Sequence, residues 1–416
     1  MTQSPWISAG EAARALGVTR PTLYAYVSRG FIRSEATATP GATRERRYSR
    51  EDVDRVRRRA EERRDPGKVA AHALQWGVPI LESSITLIAA ERLYYRGLDA
   101  VELARTRSVA DVASLIWGGR FDLPLSVPRA AHAAERASPA GSLPFIARAQ
   151  SMLAVASARD ALASDLRPEG VALTGWRIVA LLASAATRGR GPISPASTID
   201  ARLAHAWRLK RADADVLRAA LILCADHELN VSAFTARCVA SAGSNPYAVV
   251  LSGLAALEGI KHGGLTARVE ALLESLRGER RLRAALVERL RRGESIDGFG
   301  HPLYRNGDPR ATALLELLRE RYPKSPERKF AVNLADAAGA LTRERPTVDF
   351  ALAAVSRVLQ LPPRSGLTLF AIGRTIGWIG HAIEQYAAAQ IIRPRAKYVG
   401  DAPRQLSGAP ERSPAP

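Results

Sequence analysis

Cysteine is nearly absent: Cys224 and Cys238 are the only two in 416 residues. Two thiols exclude a disulfide framework and a cysteine-rich zinc site, and they fit a reducing compartment. Lysine is scarce too, supplying six of the sixty basic residues (positions 68, 210, 261, 324, 329 and 397) while arginine supplies the rest. The formal net charge is +19, but an arginine bias of this kind is also what genome-wide coding produces, so charge alone assigns no partner. No run approaches the ~18 uninterrupted apolar residues of a membrane span, and the chain opens without a signal-peptide pattern. The expectation is a soluble, cytoplasmic protein with no membrane partner. With 47% apolar and 24% charged residues the composition is globular, and the length suits about two to three domains.

The first break falls near residue 64. Residues 1–64 hold 14 Arg against 8 Asp and Glu and end in the run Arg55, Arg57, Arg58, Arg59, Arg63, Arg64. Asp65-Pro66-Gly67 then stops the preceding helix, because Pro lacks an amide donor and Gly accepts left-handed geometry. Beyond residue 80 the spacing of apolar residues predicts helices over 101–117, 144–164, 171–187, 199–208, 213–224, 246–258, 265–276, 310–321, 329–342, 348–360 and 367–390. Short Gly, Pro and Asn loops separate them, and there is no solenoid repeat. Residues 401–416 are rich in Pro, Ser and Arg and read as a disordered tail. The fold class is all-α, with a small appended module at 1–64, a linker at 65–78 and a main domain at 79–400.

In the N-terminal module, Ser8 and Glu11 form a capping box for a helix Ala9–Leu16. Gly17-Val18 makes a turn, and Thr19 caps a second helix running to about Arg29. Two short helices with a tight Gly-containing turn are a helix-turn-helix candidate. The second carries Arg20, Thr22, Tyr24 and Arg29, cations for phosphates beside hydroxyls for polar contact. Phe31-Ile32-Arg33 and Arg46-Arg47-Tyr48 read as a two-stranded hairpin, and Ser49-Arg50-Glu51-Asp52 as a second capping box before the Arg-rich helix. The order Ala12–Val18, Thr22-Leu23-Tyr24, Gly30-Phe31-Ile32 and Arg47–Val53 resembles the winged helix-turn-helix of MerR-type regulators, though no long dimerisation coiled coil follows. The resemblance implies duplex DNA as a possible partner.

Three of the seven histidines stand in loops of unusual composition: Asp226-His227-Glu228, His262-Gly263-Gly264 and Gly298-Phe299-Gly300-His301. Glycines beside a histidine let backbone approach a ligand closely. His227 between two carboxylates admits a metal reading, but Cys224 is the one further N or S donor at ligand spacing, and zinc takes three or four. No metal is assigned.

These loops occur in a fixed order with Leu93-Tyr94-Tyr95-Arg96-Gly97, Ala225–Asn230, Ser244-Asn245-Pro246-Tyr247, Asp308-Pro309-Arg310, Pro346–Phe350, Leu369–Arg374 and Arg393-Pro394-Arg395. Over residues 79–400 the chain is similar to the citrate synthase family. The resemblance implies a helical homodimer whose subunits have a large domain and a small one (about 265–358) that closes over substrate. It implies that Asp349 removes a methyl proton from acetyl-CoA, that His262 stabilises the enol and that His301 polarises the oxaloacetate carbonyl. His227, Arg310, Arg374 and Arg393 would bind oxaloacetate, the last reaching in from the partner subunit, and Arg305 would meet CoA. Guanidinium forks suit the two carboxylates of oxaloacetate. A thioester methyl is so weak an acid that a carboxylate base needs a dry, pre-arranged site to stabilise the enolate.

Departures fall close to these groups. The usual His-Gly-Gly-Ala-Asn reads His262-Gly263-Gly264-Leu265-Thr266, Thr347 replaces a common Asn, Pro302 follows His301, and Cys224 replaces a first His. The expected function is citrate synthase, an acyltransferase with acetyl-CoA as substrate and no resident cofactor. The alternatives are 2-methylcitrate synthase using propionyl-CoA, and a DNA-binding regulator whose synthase-like domain senses metabolites.

Overall fold

In the computed structural model of the chain, which describes residues 5–36, 46–54, 56–57, 81–125, 143–190, 198–396 and 398–402, two compact units form: 1–82 with 394–416, and 83–393. In the first, the Ser8–Glu11 capping box forms as expected, whereas Thr19 stands at the N-cap of the second helix with its hydroxyl on Thr22 Oγ1 at 3.0 Å and not on a backbone amide. Helix α1 (Ala9–Leu16) starts with Ser8 and Glu11 satisfying each other's backbone amides, and Gly17 at φ 64° ends it. Helix α2 (Arg20–Ser28) follows. Strands β1 (Trp6–Ser8), β2 (Ser34–Ala36) and β3 (Arg46–Ser49) make an antiparallel sheet in the order β1-β3-β2. Ile7, Ala12, Leu23, Ile32, Tyr48 and Val53 form its core.

Two further details differ from expectation. The hairpin is joined by β1, and β2 begins at Ser34, not Phe31, because Gly30 turns the chain and Ile32 is drawn into the core. The second capping box is only half made. Ser49 Oγ accepts from the Asp52 amide at 3.3 Å, but the Asp52 carboxylate turns to Arg33, at 2.9 Å from its amide and 2.7 Å from Nε. Helix follows over 50–54 and 56–57. The expected linker at 65–78 and all but 401–402 of the expected tail lie outside the described residues.

The second unit opens on a small sheet that the all-α reading did not include: β4 (Thr86–Ala89), β5 (Arg92–Tyr95) and β6 (Leu98–Asp99), antiparallel in that order. The predicted helix 101–117 is two helices, α3 (Ala100–Thr106) and α4 (Val109–Gly118), because Ser108 and Asp111 form a capping box that starts a new one. The stretch 144–164 is α5 (Phe145–Arg159) followed by a 3-10 turn, Ala161–Ser164, that Asp160 caps. Then come α6 (Pro168–Thr187), α7 (Ile199–Ala206), α8 (Ala214–Leu223), α9 (Val231–Ser241), α10 (Pro246–Leu257), α11 (Gly264–Ser275) and α12 (Leu282–Arg291). The series ends with α13 (Pro309–Arg321), α14 (Pro326–Thr342), α15 (Val348–Val358) and α16 (Ser365–Ala388). Helices α9 and α12 were not anticipated. Small and β-branched residues fill the first, and arginines interrupt the apolar pattern of the second.

Helix α16 is the axis of this unit, buried along most of its length and packed by α4, α6, α8, α9, α10, α11 and α15. Its glycines permit that. A Cβ on Gly373 would lie 2.4 Å from the Leu221 carbonyl, and one on Gly377 would lie 2.4 Å from the Ala225 carbonyl. Helix α6 is long and apolar enough to cross a membrane by composition, but Val171, Ile178, Val179 and Leu182 are packed into the core.

Candidate active site

Helix α8 ends at Cys224, and the chain turns through Ala225–Asn230 into α9. This loop is pinned from three sides. The Gly377 amide donates to the Ala225 carbonyl at 2.9 Å. Buried Asp226 accepts from Thr86 Oγ1 at 2.6 Å and meets His381 Nε2 at 3.2 Å. The Tyr95 hydroxyl accepts from the Asp226 amide at 3.3 Å. His227 is thereby held with Nε2 2.9 Å from the Tyr304 hydroxyl. Burial and then the charges of Arg310 and Arg374 push its pKa well below the usual imidazole value.

His262 stands in the tight turn between α10 and α11. Its Nε2 is 2.8 Å from Ser232 Oγ, which also accepts from the Trp378 indole at 3.2 Å. Burial, then Arg374 and Arg310, lower its pKa to about 3. His301 sits on a glycine loop that pairs with the segment before α15. Gly300 donates to the Arg345 carbonyl, and Thr347 donates to the Gly298 carbonyl. Both glycines have positive φ, and a Cβ on Gly300 would fall 2.6 Å from the Glu344 carboxylate. The Leu303 amide donates to His301 Nδ1 at 3.2 Å, which leaves the proton on Nε2. Burial and Arg310 lower the His301 pKa to about 4. All three imidazoles are therefore neutral at pH 7.

The same pairing delivers Asp349, in the first turn of α15. Burial raises its pKa to about 6 against the opposing pull of a Thr266 hydrogen bond and of Arg310. The Thr266 hydroxyl donates to Oδ1 at 2.5 Å. Arg310, in the first turn of α13, makes a two-pronged pair with Asp308, Nε to Oδ1 at 2.9 Å and Nη2 to Oδ2 at 2.7 Å, with both side chains buried. Arg374 on α16 is 1% exposed; its Nε donates to the Cys224 carbonyl at 2.8 Å, while Nη2 has no partner among the described residues. Two buried guanidiniums, one with a donor to spare, make this a site for an anion.

His227, His262, His301, Asp349, Arg310 and Arg374 thus converge on one cluster, each lying in the electrostatic field of one or more others. Arg305 follows Tyr304 and is exposed. Arg393 is not brought in. It is exposed in the irregular segment after α16, and among the described residues no hydrogen bond or ion pair joins it to the six. Arg20, Thr22 and Tyr24 are exposed on α2, and Arg29 is exposed at its end.

Four contributors escaped the sequence reading. Tyr304 bonds His227, lies 4.9 Å from the His301 ring and has Arg310 over its face at 5.9 Å. Ser232 orients His262, Asp308 holds Arg310 and Thr266 holds Asp349. The Asp308-Pro309-Arg310 motif was visible but its aspartate had no role, and Thr266 registered only as a departure.

Residues 73–395 match the family described as citrate synthase, C-terminal domain, and residues 7–60 match the family described as MerR HTH family regulatory protein. The chain is 28% identical over 364 residues to citrate synthase 2 of Bacillus subtilis, covering 81% of this chain and 98% of that one. It is 31% identical over 227 residues to 2-methylcitrate synthase 2 of Corynebacterium glutamicum, covering 54% of this chain and 56% of that one. Among solved structures, citrate synthase from Thermotoga maritima is similar at 26% identity and TM-score 0.67, covering 81% of this chain and 98% of that one.

Proposed function

Because the chain belongs to the citrate synthase family, we propose that it condenses acetyl-CoA with oxaloacetate and water to give citrate and CoA. The observation that carries this reading is the juxtaposition of a carboxyl with pKa raised to about 6, two buried guanidiniums and three neutral imidazoles. Asp349 is the base. A pKa near 6 makes it stronger than an ordinary aspartate yet still mostly ionised at pH 7. His262 donates to the thioester oxygen as the enol forms. Ser232 Oγ lies 2.8 Å from both Asn230 Oδ1 and His262 Nε2; with its single proton turned to His262 Nε2 in the working tautomer, Nδ1–H is the donor. His301 uses Nε2–H to polarise the oxaloacetate carbonyl. A neutral imidazole donor matches an enolate oxygen without surrendering a full proton.

Arg310, Arg374 and His227 bind the oxaloacetate carboxylates, and Arg305 meets CoA at the rim. Arg393 completes the anion site from a second subunit, so the working unit is a homodimer; its exposure away from the cluster in the single chain supports that assignment. The segment 265–358 acts as the closing domain, since it carries His301, Arg310 and Asp349 while His227, His262 and Arg374 lie outside it. Acetyl-CoA enters as a substrate, and the chemistry needs no resident cofactor.

Thiol release with acetyl-CoA and propionyl-CoA side by side tests the reading. Faster turnover of acetyl-CoA supports it. Preference for propionyl-CoA makes the chain a 2-methylcitrate synthase, a change within reach of one methylene's ~1–3 kcal/mol. Oxaloacetate binding without thiol release from either ester refutes an enzyme and leaves a sensor.

The N-terminal module supports a second role, binding duplex DNA in the cytoplasm, because its exposed Arg20, Thr22, Tyr24 and Arg29 lie on or beside the second helix of a helix-turn-helix. Selection from random duplexes with the full chain should enrich one motif. Affinity should fall with salt at a log–log slope near −0.9 per phosphate contacted, and Arg20→Gln should make the slope shallower by about 1. Equal, salt-sensitive binding to every duplex would reduce the module to a basic appendage.

A further inference from the structure

Thr266 is the third residue of α11 and is wholly buried. Its hydroxyl lies 2.5 Å from Asp349 Oδ1. Its methyl faces the start of α16, where a Cβ on Gly366 would fall 2.8 Å from Thr266 Cγ2. That wall does not give. Glu270, one turn further along α11, accepts from the Gly366 amide at 3.2 Å and the Arg364 amide at 3.0 Å. A helical threonine divides between two χ1 wells; contact of the methyl with the Gly366 backbone and the hydrogen bond to Asp349 hold the one seen here, with the hydroxyl aimed at Asp349.

We propose that Thr266 is a positioning residue for Asp349: its hydroxyl occupies Oδ1 and leaves Oδ2 as the one oxygen that receives the substrate proton. The inference rests on the reading of Asp349 as the base. An aspartate free to rotate about χ2 offers either oxygen in many directions; a fixed donor on one selects both oxygen and direction, the kind of pre-arrangement that proton transfer rewards. Thr266 stands where the family pattern has Asn, and in this chain the group on Asp349 Oδ1 is a hydroxyl.

The hold has a pH signature. A hydrogen bond to the charged form favours it, and Thr266 pulls the Asp349 pKa down against burial. The charges that reach Asp349 are Arg310, which also lowers it, and Asp308, which raises it. Glu270 is engaged by the backbone of α16, and Arg374 by the Cys224 carbonyl. Removing only the hydroxyl must therefore move Asp349 upward.

Thr266→Val keeps the shape and removes the donor, whereas Thr266→Ser keeps the donor. In the full-length protein, titration of 13C-labelled aspartate carboxyls, with Asp349 assigned by its loss in Asp349→Asn, reads the hold without catalysis. Thr266→Val should raise the Asp349 titration by roughly 1–2 pH units, what a hydrogen bond to a charged group is worth. The acid limb of thiol release should move with it, kcat should fall about 10-fold or more, and the KM for oxaloacetate should stay within about twofold. Thr266→Ser should titrate as wild type. An unmoved Asp349 in Thr266→Val, or an equal shift in Thr266→Ser, overturns the proposal. A shift in a wild-type background that releases no thiol overturns the condensing-enzyme reading and leaves the hold on Asp349 standing.

Discussion

Asp349→Asn should lower thiol release by at least about 100-fold, the lower end for a general base, while leaving oxaloacetate binding within a few-fold of wild type. The separation follows from the geometry. Arg310 is fixed by Asp308 and Arg374 by the Cys224 carbonyl, and neither depends on Asp349. The same substitution should stabilise the fold at neutral pH. A carboxyl raised from 3.8 to about 6 is ionised in the folded protein at a cost of up to about 3 kcal/mol above pH 6. The penalty is absent below the unfolded value, grows between pH 3.8 and 6, and is full above that. Asparagine removes the charge and can still accept from Thr266. Thermal unfolding should therefore show Asp349→Asn above wild type at pH 8, with the gap closing toward pH 4. A variant that turns over normally, or that melts below wild type at pH 8, would refute the reading of Asp349 as a destabilised base.

What the chain announces in sequence is the part that depends on local geometry. Ser8 with Glu11, and the glycines around His301, declare themselves because capping and positive φ are properties of three or four adjacent residues. The order of the motifs pointed to His227, His262, His301, Asp349, Arg310 and Arg374, and these six do converge. The supporting shell was not legible. Thr266 meets Asp349 across 83 positions and Tyr304 meets His227 across 77, and neither pairing leaves a periodicity to find. Strands β4 to β6 were hidden for a different reason: two to four residues each, they are too short for alternation to be told from a helical stripe. Ser108 and Asp111 were readable as a capping box, and overlooking them fused α3 with α4.

Asp308→Asn should cost about 3–5 kcal/mol of stability, the usual price of stranding one partner of a buried ion pair. Asparagine is as good an N-cap as aspartate, so the start of α13 keeps the bond from the Arg310 amide to Oδ1, at 3.0 Å. What disappears is the charge and Oδ2, which accepts both from Arg310 Nη2 at 2.7 Å and from the Val348 amide at 3.0 Å. That second bond matters for function, because Val348 immediately precedes the base. Asp308 thus ties Arg310, the proposed oxaloacetate anchor on α13, to the helix that presents Asp349, and the variant should raise the KM for oxaloacetate and lower kcat together. The pH profile separates this from simple unfolding. The Asp308 charge raises the Asp349 pKa, so its loss should move the acid limb to lower pH, opposite to Thr266→Val. The double variant Asp308→Asn with Arg310→Met removes the stranded guanidinium. It should recover most of the lost thermal stability, since replacing a whole buried pair with neutral groups is often close to neutral, yet it should not regain oxaloacetate binding. Recovery of both would show that Arg310 is a structural partner of Asp308 and no part of the anion site; recovery of neither would mean that the Val348 bond, not the charge, holds this corner of the fold.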